Sequence, residues 1–251
     1  MDYQLKKSLG QHFLHDEKVC QQIVALVDTT QPNWVEVGPG GGAITKYLLK
    51  LPIQHFSCIE IDQEKVDYLL KTYAALQGRI LHQDILKAEM PYTETFNVIG
   101  NFPYNISTQI IFQILEWREN VHTVIGMFQK EVAVRFACKH GSKDYGITSV
   151  ITQAFFNIEY MLDVPPTAFN PPPKVDSGVI RLVNNNNPYN IQNYKQFKTF
   201  IKAAFSQRRK TLRNALKSII PSDKLQDEIF GKRAEQLSVA QFAELYHHFY
   251  D

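Results

Sequence analysis

One stretch constrains this chain more than any other: Trp34-Val35-Glu36-Val37-Gly38-Pro39-Gly40-Gly41-Gly42-Ala43. Trp34 to Val37 reads as a buried strand, and the glycines behind it as a turn that opens a helix over 43–50. Glycine at 38, 40 and 42 lets the backbone bend tightly and lets a ligand approach with no Cβ in the way. The helix that follows offers free N–H groups and the positive end of its dipole. A second predicted strand, Phe56 to Glu60, ends in an acid about 20 residues beyond the loop, where a carboxylate usually meets a ribose diol. Strand, loop, helix, strand and acid in this order argue against a plain glycine turn and for a nucleoside cofactor. Gly38-x-Gly40-x-x-Ala43 also fits the dinucleotide pattern, while Gly38-x-Gly40-x-Gly42 fits the looser pattern of S-adenosylmethionine-dependent enzymes, so the loop alone leaves both open.

The rest of the chain repeats the alternation. Asp16 can cap a helix running to Val27. Gln63 to Tyr73 carries an apolar stripe at Val66, Leu69, Leu70 and Tyr73. Short strands are expected at Arg79–His82, Phe96–Gly100 and Thr123–Phe128, with helices at Ser107–Trp117, Lys130–Cys138 and Tyr145–Phe156. Ile158–Val164 and Gly178–Val183 read as closing strands. The last of these is expected antiparallel, because the segment from Pro165 to Lys174 is too rich in proline for a crossover helix. This pattern predicts an α/β fold with a mostly parallel sheet covered on both faces. The polar run Asn184-Asn185-Asn186-Asn187-Pro188 then breaks the pattern, and only helical spacing follows it. A boundary near 185 is expected, with a catalytic domain over 1–185 and a small helical domain over 186–251.

The chain has 251 residues with a net charge of +2, so overall charge says little about nucleic acid and any contact must come from local patches. No apolar run approaches the roughly 18 residues of a membrane span. Three scattered cysteines fit reduced thiols in the cytosol, and the eight histidines show no metal spacing.

Asn101-Phe102-Pro103-Tyr104 is the most informative tetrapeptide. It follows a strand, hence lies at the carboxyl edge of the sheet where open α/β folds bind ligands. Pro103 stiffens the turn. The Asn101 side-chain oxygen and the Phe102 carbonyl can accept both hydrogens of an exocyclic amino group, and Tyr104 offers a flat face to a base. An isolated tetrapeptide of this kind would more simply be a strand-ending turn. Here Glu36-x-Gly38-x-Gly40-x-Gly42, Glu60, Asp84 and this tetrapeptide in order resemble the motifs of class I amino-nitrogen methyltransferases. Lys7-Ser8-Leu9-Gly10-Gln11-His12-Phe13-Leu14, Gln129-Lys130-Glu131-Val132, the segment from Val164 to Ser177 and that from Phe205 to Asn214 sharpen the likeness. They are similar to signatures of the small-subunit ribosomal RNA adenine dimethyltransferase family (KsgA/RsmA).

The resemblance implies a Rossmann-like class I methyltransferase sheet of seven strands, the last antiparallel, with S-adenosyl-L-methionine as cofactor. Gly38 and Gly40 would lie against its methionine part, Glu60 on the ribose hydroxyls and Asp84 on the adenine amine, with Gln83 beside it as an alternative. His12 and Leu14 would close over the cofactor. Asn101 would hold the target amine beside it, Pro103 would shape the turn, Tyr104 would stack on the base, and Phe169 is a candidate for the opposite face or else a core residue. Glu60 and Asp84 can also be read as capping acids. The family usually carries asparagine where this chain has His12 and leucine where it has Phe102. Arg208, Arg209, Lys210 and Arg213 form a basic patch for RNA; Arg209, Arg213 and Lys217 would share one face if the segment is helical, a face that could equally be merely solvated. The implied partner is small-subunit ribosomal RNA in the 30S particle, and the implied protein is a cytoplasmic monomer with no membrane contact and no metal. Two adjacent adenines of 16S RNA would be dimethylated at N6. A nicotinamide oxidoreductase, an amino-nitrogen methyltransferase on another nucleic acid, and an assembly factor acting by binding are the alternatives weighed.

Overall fold

The computed structural model describes residues 12–250. The basic lead-in from Lys6 to Gln11 lies outside the described residues. The elements in order are β1 (Phe13–Leu14), α1 (Glu17–Val24), β2 (Asn33–Val37), α2 (Thr45–Leu48), β3 (His55–Glu60), α3 (Gln63–Thr72), β4 (Ile80–His82), β5 (Phe96–Asn101) and α4 (Ser107–Glu116). They continue with β6 (Val121–Gln129), α5 (Lys130–Ala137), α6 (Ile147–Gln153), β7 (Phe156–Val164), β8 (Phe169–Asn170), β9 (Ser177–Asn184), α7 (Tyr194–Ala204), α8 (Leu212–Leu216) and α9 (Val239–Tyr250).

Seven strands form one sheet in the order β4-β3-β2-β5-β6-β9-β7. β2, β3, β4, β5 and β6 pair in parallel, and β9 runs antiparallel against β6. This is the expected fold class. The central strands are apolar without alternation because both faces are covered: Trp34, Val35, Phe96, Val98, Ile99, Val124 and Ile125 are fully buried. Each such side chain contributes about 1.5–3 kcal/mol by leaving water. β2 has β3 on one side and β5 on the other, so the strand order reverses between β2 and β5 and a crevice opens past their carboxyl ends.

Local differences from expectation have local causes. Asp16 caps α1 as predicted, accepting from the Lys18 and Val19 amides, but the helix stops at Val24. The predicted helix over Tyr145–Phe156 is confined to Ile147–Gln153, and Phe156 already opens β7. The pair β1–β8 was not anticipated: Phe13 pairs with Asn170 and Leu14 with Phe169, antiparallel.

The chain divides into two compact units. One runs to Ala133 and resumes over Glu159–Asn184; the other takes Val134–Ile158 and everything from Asn185. The polar run at 184–188 thus lies at one change of unit. Residues 134–158, assigned from sequence to the first domain, cluster instead with the C-terminal helices, because α6 packs on α7. Within that unit Phe155, Phe197, Phe200 and Tyr246 build an aromatic core, Phe197 edge-on to Phe155 and Tyr246 and Phe200 tilted against Tyr246. Among the described residues no helix is long and apolar enough to cross a membrane.

Candidate active site

The crevice is built from strand ends. β2 runs into the glycine turn, where Gly38, Gly40 and Gly42 have φ of 68°, 56° and 78°. A Cβ on Gly38 would meet no protein atom within 4 Å, so it would project into open space, whereas one on Gly42 would strike Tyr73 at 2.7 Å. Gly38 therefore keeps the crevice clear, and Gly42 lets Tyr73 pack under the turn. At the end of β3, Glu60 turns back and binds the turn: one carboxylate oxygen accepts from the Gly40 amide at 3.1 Å, the other from the Ile61 and Asp62 amides at 2.9 and 3.0 Å. Asp84 lies just past β4 and accepts from the Leu86 amide at 3.0 Å. Both acids thus cap backbone as the simpler reading held, and both also line the crevice.

Two adjoining cavities result, of about 640 and 860 Å³ and open to solvent. The first is lined by His12, Leu14, Gly38, Gly40, Asn101 and Tyr104. The second is lined by Glu60, Gln83, Asp84 and Ile106, with Gly38 and Pro103 shared between the two.

The tetrapeptide at the end of β5 is seated by a side chain that the sequence reading treated as incidental. Phe102 is fully buried and lies edge-on to Phe128, centroids 5.3 Å apart. Its ring occupies space that only glycine leaves: Cβ atoms on Gly100 and Gly126 would come within 2.7 and 2.6 Å of it. With Phe102 wedged into the sheet, Asn101 and Tyr104 are left facing the first cavity. The Tyr104 hydroxyl is 2.5 Å from Ser177 Oγ, and burial pushes its pKa up, so it stays a neutral hydroxyl. One face of its ring lies against His12, centroids 5.7 Å apart at 30°. His12 Nδ1 is 2.8 Å from the Pro171 carbonyl oxygen.

Glu36, two residues before Gly38, is a buried acid that the sequence reading left without a role. It lines the first cavity and accepts from the Thr45 hydroxyl at 2.7 Å. Burial, with Glu60 adding to it, pushes its pKa up to about 8 against the pull of Thr45. No metal-holding cluster of histidine, cysteine or acid occurs among the described residues.

Two assigned residues sit elsewhere. Phe169 is 2% exposed and packs in the core with Leu14, Met127 and Ala168. It is not among the residues lining these two cavities. Arg213 lies on α8, with Lys217 at its C-cap, and a turn separates it from Arg209, so Arg209 does not share their helical face. The Arg213 guanidinium donates to the Leu225 carbonyl at 2.8 Å and the Gln226 carbonyl at 3.2 Å, and so fixes chain ends instead of standing free. Arg208, Arg209 and Lys210 are exposed in the turn after α7; Arg208 donates to the Lys143 carbonyl.

A seven-stranded open sheet with a glycine turn at the reversal point and an amide-bearing turn beside it defines a Rossmann-like methyltransferase, with S-adenosyl-L-methionine as its cofactor. Comparison with known proteins narrows this. The family model described as ribosomal RNA adenine dimethylase matches residues 3–251, and the chain belongs to that family. It is 51% identical to the ribosomal RNA small subunit methyltransferase A of Cytophaga hutchinsonii, over 96% of this chain and 95% of the relative. The identically named protein of Flavobacterium johnsoniae is 48% identical, over 96% and 94%. Among solved structures, a dimethyladenosine transferase from Plasmodium falciparum superposes with a TM-score of 0.81 at 23% identity, covering 95% of this chain and 97% of that one. The 23S rRNA methyltransferase ErmE gives 0.72 at 24%, covering 94% and 98%; both likenesses bear on the fold.

Proposed function

We propose that this protein dimethylates N6 of two adjacent adenines in small-subunit (16S) ribosomal RNA during 30S subunit biogenesis, acting as a cytoplasmic monomer. The observation that carries this reading is the placement of Asn101 and Tyr104 on the same cavity as Gly38 and Gly40.

The cofactor, when bound, supplies a methyl group on a sulfonium that needs only an aligned lone pair behind it. Glu60 and Asp84 would hold its adenosine, and the glycine turn with Leu14 and His12 would enclose its methionine end. Asn101 and the Phe102 carbonyl accept the two hydrogens of the adenine amine. An aromatic amine is a weak nucleophile because its lone pair is spread into the ring. Two fixed acceptors favour a more tetrahedral nitrogen and stabilise the charge that develops there. Positioning supplies much of the remaining acceleration. Tyr104 stacks on the extruded base and offsets the few kcal/mol lost in unstacking it. Transfer leaves the neutral thioether and a cationic amine; once that amine loses a proton to water the monomethylated nitrogen has its lone pair back, and rotation about the C6–N6 bond presents it for a second transfer. Arg208, Arg209 and Lys210 bind RNA phosphates.

The decisive experiment is methyl labelling of unmodified small-subunit particles, with the modified nucleotides mapped. Label in two neighbouring adenines as dimethyladenine is expected. Asn101→Ala is expected to lower the rate by at least about 100-fold, as removal of a transition-state hydrogen bond does elsewhere. Label in DNA or protein, or an active Asn101→Ala enzyme, would refute the reading.

A further inference from the structure

A buried lysine stands at the junction of the two cavities. Lys65, in the first turn of α3, is 6% exposed. Lysine is almost never so buried unless its ammonium meets polar groups. Among the described residues it is the one charged side chain that lines both cavities. Its ammonium lies 3.8 Å from the point where a Cβ on Gly40 would sit, and the Gly40 amide is itself bonded to Glu60 at 3.1 Å. Ammonium, glycine turn and Glu60 carboxylate therefore meet at one place. Lys65 also interacts with other groups of the protein.

The chemistry of a ribose diol explains why a cation belongs there. Each hydroxyl has a hydrogen to give and lone pairs to be satisfied. An ionised Glu60 can only accept, and three backbone amides already occupy its oxygens. An ammonium can only donate. The crevice holds the methionine end of the cofactor on one side and its adenine on the other, so a group shared by both cavities faces the sugar between them. We propose that Lys65 is a cofactor-binding residue that donates to a ribose oxygen and complements Glu60 across the diol. This rests on the placement of the cofactor given above.

Charge adds a consequence that hydrogen bonding alone would not. The methyl donor carries a sulfonium and its product a neutral thioether. A fixed cation close to the sugar therefore disfavours the donor relative to the product. Lys65 strengthens binding of both but favours the spent cofactor more.

Calorimetric titration of the whole protein with S-adenosylhomocysteine and with S-adenosylmethionine tests this without RNA. For Lys65→Met the dissociation constant of the homocysteine form is expected to rise about tenfold, as loss of a charge-assisted hydrogen bond requires. That of the methionine form should rise less, so the preference for product shrinks. Lys65→Arg should restore most of the affinity. Should Lys65→Met fail to fold, as judged by its melting transition, Lys65→Gln carries the same expectations. The 2′-deoxy and 3′-deoxy analogues of S-adenosylhomocysteine give an independent reading on the wild type: one of them should bind about tenfold more weakly than the parent. In the lysine variant that difference should shrink to the part that Glu60 supplies. Equal affinity of wild type and variant for S-adenosylhomocysteine, or unchanged discrimination between the analogues, would overturn the inference alone. Failure of the wild type to bind S-adenosylhomocysteine would overturn the cofactor placement and this inference together.

Discussion

At the scale of single residues, the site depends on side chains that hold other side chains. Ser177 is fully buried and meets the Tyr104 hydroxyl at 2.5 Å. Ser177→Ala leaves that hydroxyl buried without its partner, a loss of about 1–3 kcal/mol when nothing replaces it. Methyl transfer should fall about tenfold while S-adenosylhomocysteine affinity stays unchanged. Tyr104→Phe combined with Ser177→Ala should cost no more than either change alone, and additive losses would contradict the coupling. Glu36 makes a prediction in pH. Its folded pKa of about 8 lies above its ordinary value of 4.5, so the folded state retains a proton that the unfolded chain releases. Stability should then decline as pH rises from about 4.5 to about 8 and level off above, by an amount on the order of a few kcal/mol. Urea unfolding at pH 5.5 and 8.5 should show that decline in the wild type and a weaker one in Glu36→Gln. Gly38, Glu60, Asn101 and Tyr104 were legible in the sequence because a strand end fixes where each must lie. Lys65 and Ser177 were not, since the Gly40 turn and Tyr104 that they meet come from other parts of the chain, and Glu36 was read only as one letter of a motif.

At the scale of elements, β5 and the turn behind it form a single mechanical piece. Gly100 lets Phe102 fold back over the sheet, and a Cβ there would lie 2.6 Å from the Val37 carbonyl oxygen of the neighbouring strand. Gly100→Ala should therefore cost about 1–3 kcal/mol as an overpacked substitution and lower the thermal midpoint. It should also weaken methyl transfer, because the clash pushes β2 and its glycine turn away from Asn101; a variant with wild-type stability and rate would refute this. The strands of the sheet were readable as continuous apolar runs, and only their ends moved by a residue or two. The β1–β8 pair escaped because two residues are too few to show a period, and its partners lie far apart in sequence. Arg213 was misplaced for a related reason. Spacing of four implies a shared face only within one helix, and here a turn intervenes.

At the scale of the whole molecule, function requires both a catalytic crevice and a grip on RNA. Net charge is only +2, so that grip has to be local. Reversing Arg208, Arg209 and Lys210 to glutamate should weaken binding to small-subunit RNA and flatten its dependence on salt, since each lost phosphate contact removes about one unit of slope. Cofactor affinity should not change. A triple variant with an unaltered salt slope would place the RNA elsewhere. The family signatures made the fold and the kind of reaction readable over almost the whole length, and the polar run marked the change of unit near 185, whereas the grouping of residues 134–158 was not readable, because they join a core whose other members come later in the chain. The pairing of Gln129 with Ser177 at the head of β9 carries one more lesson. A slip of one position in that strand would present Asp176 or Gly178 to the aromatic platform, putting a repelled carboxylate or nothing at all where a hydroxyl is wanted. On the role proposed for Tyr104, the rate of methyl transfer then depends on the final strand closing in register, and a copy closed one position out would load its donor yet transfer it slowly.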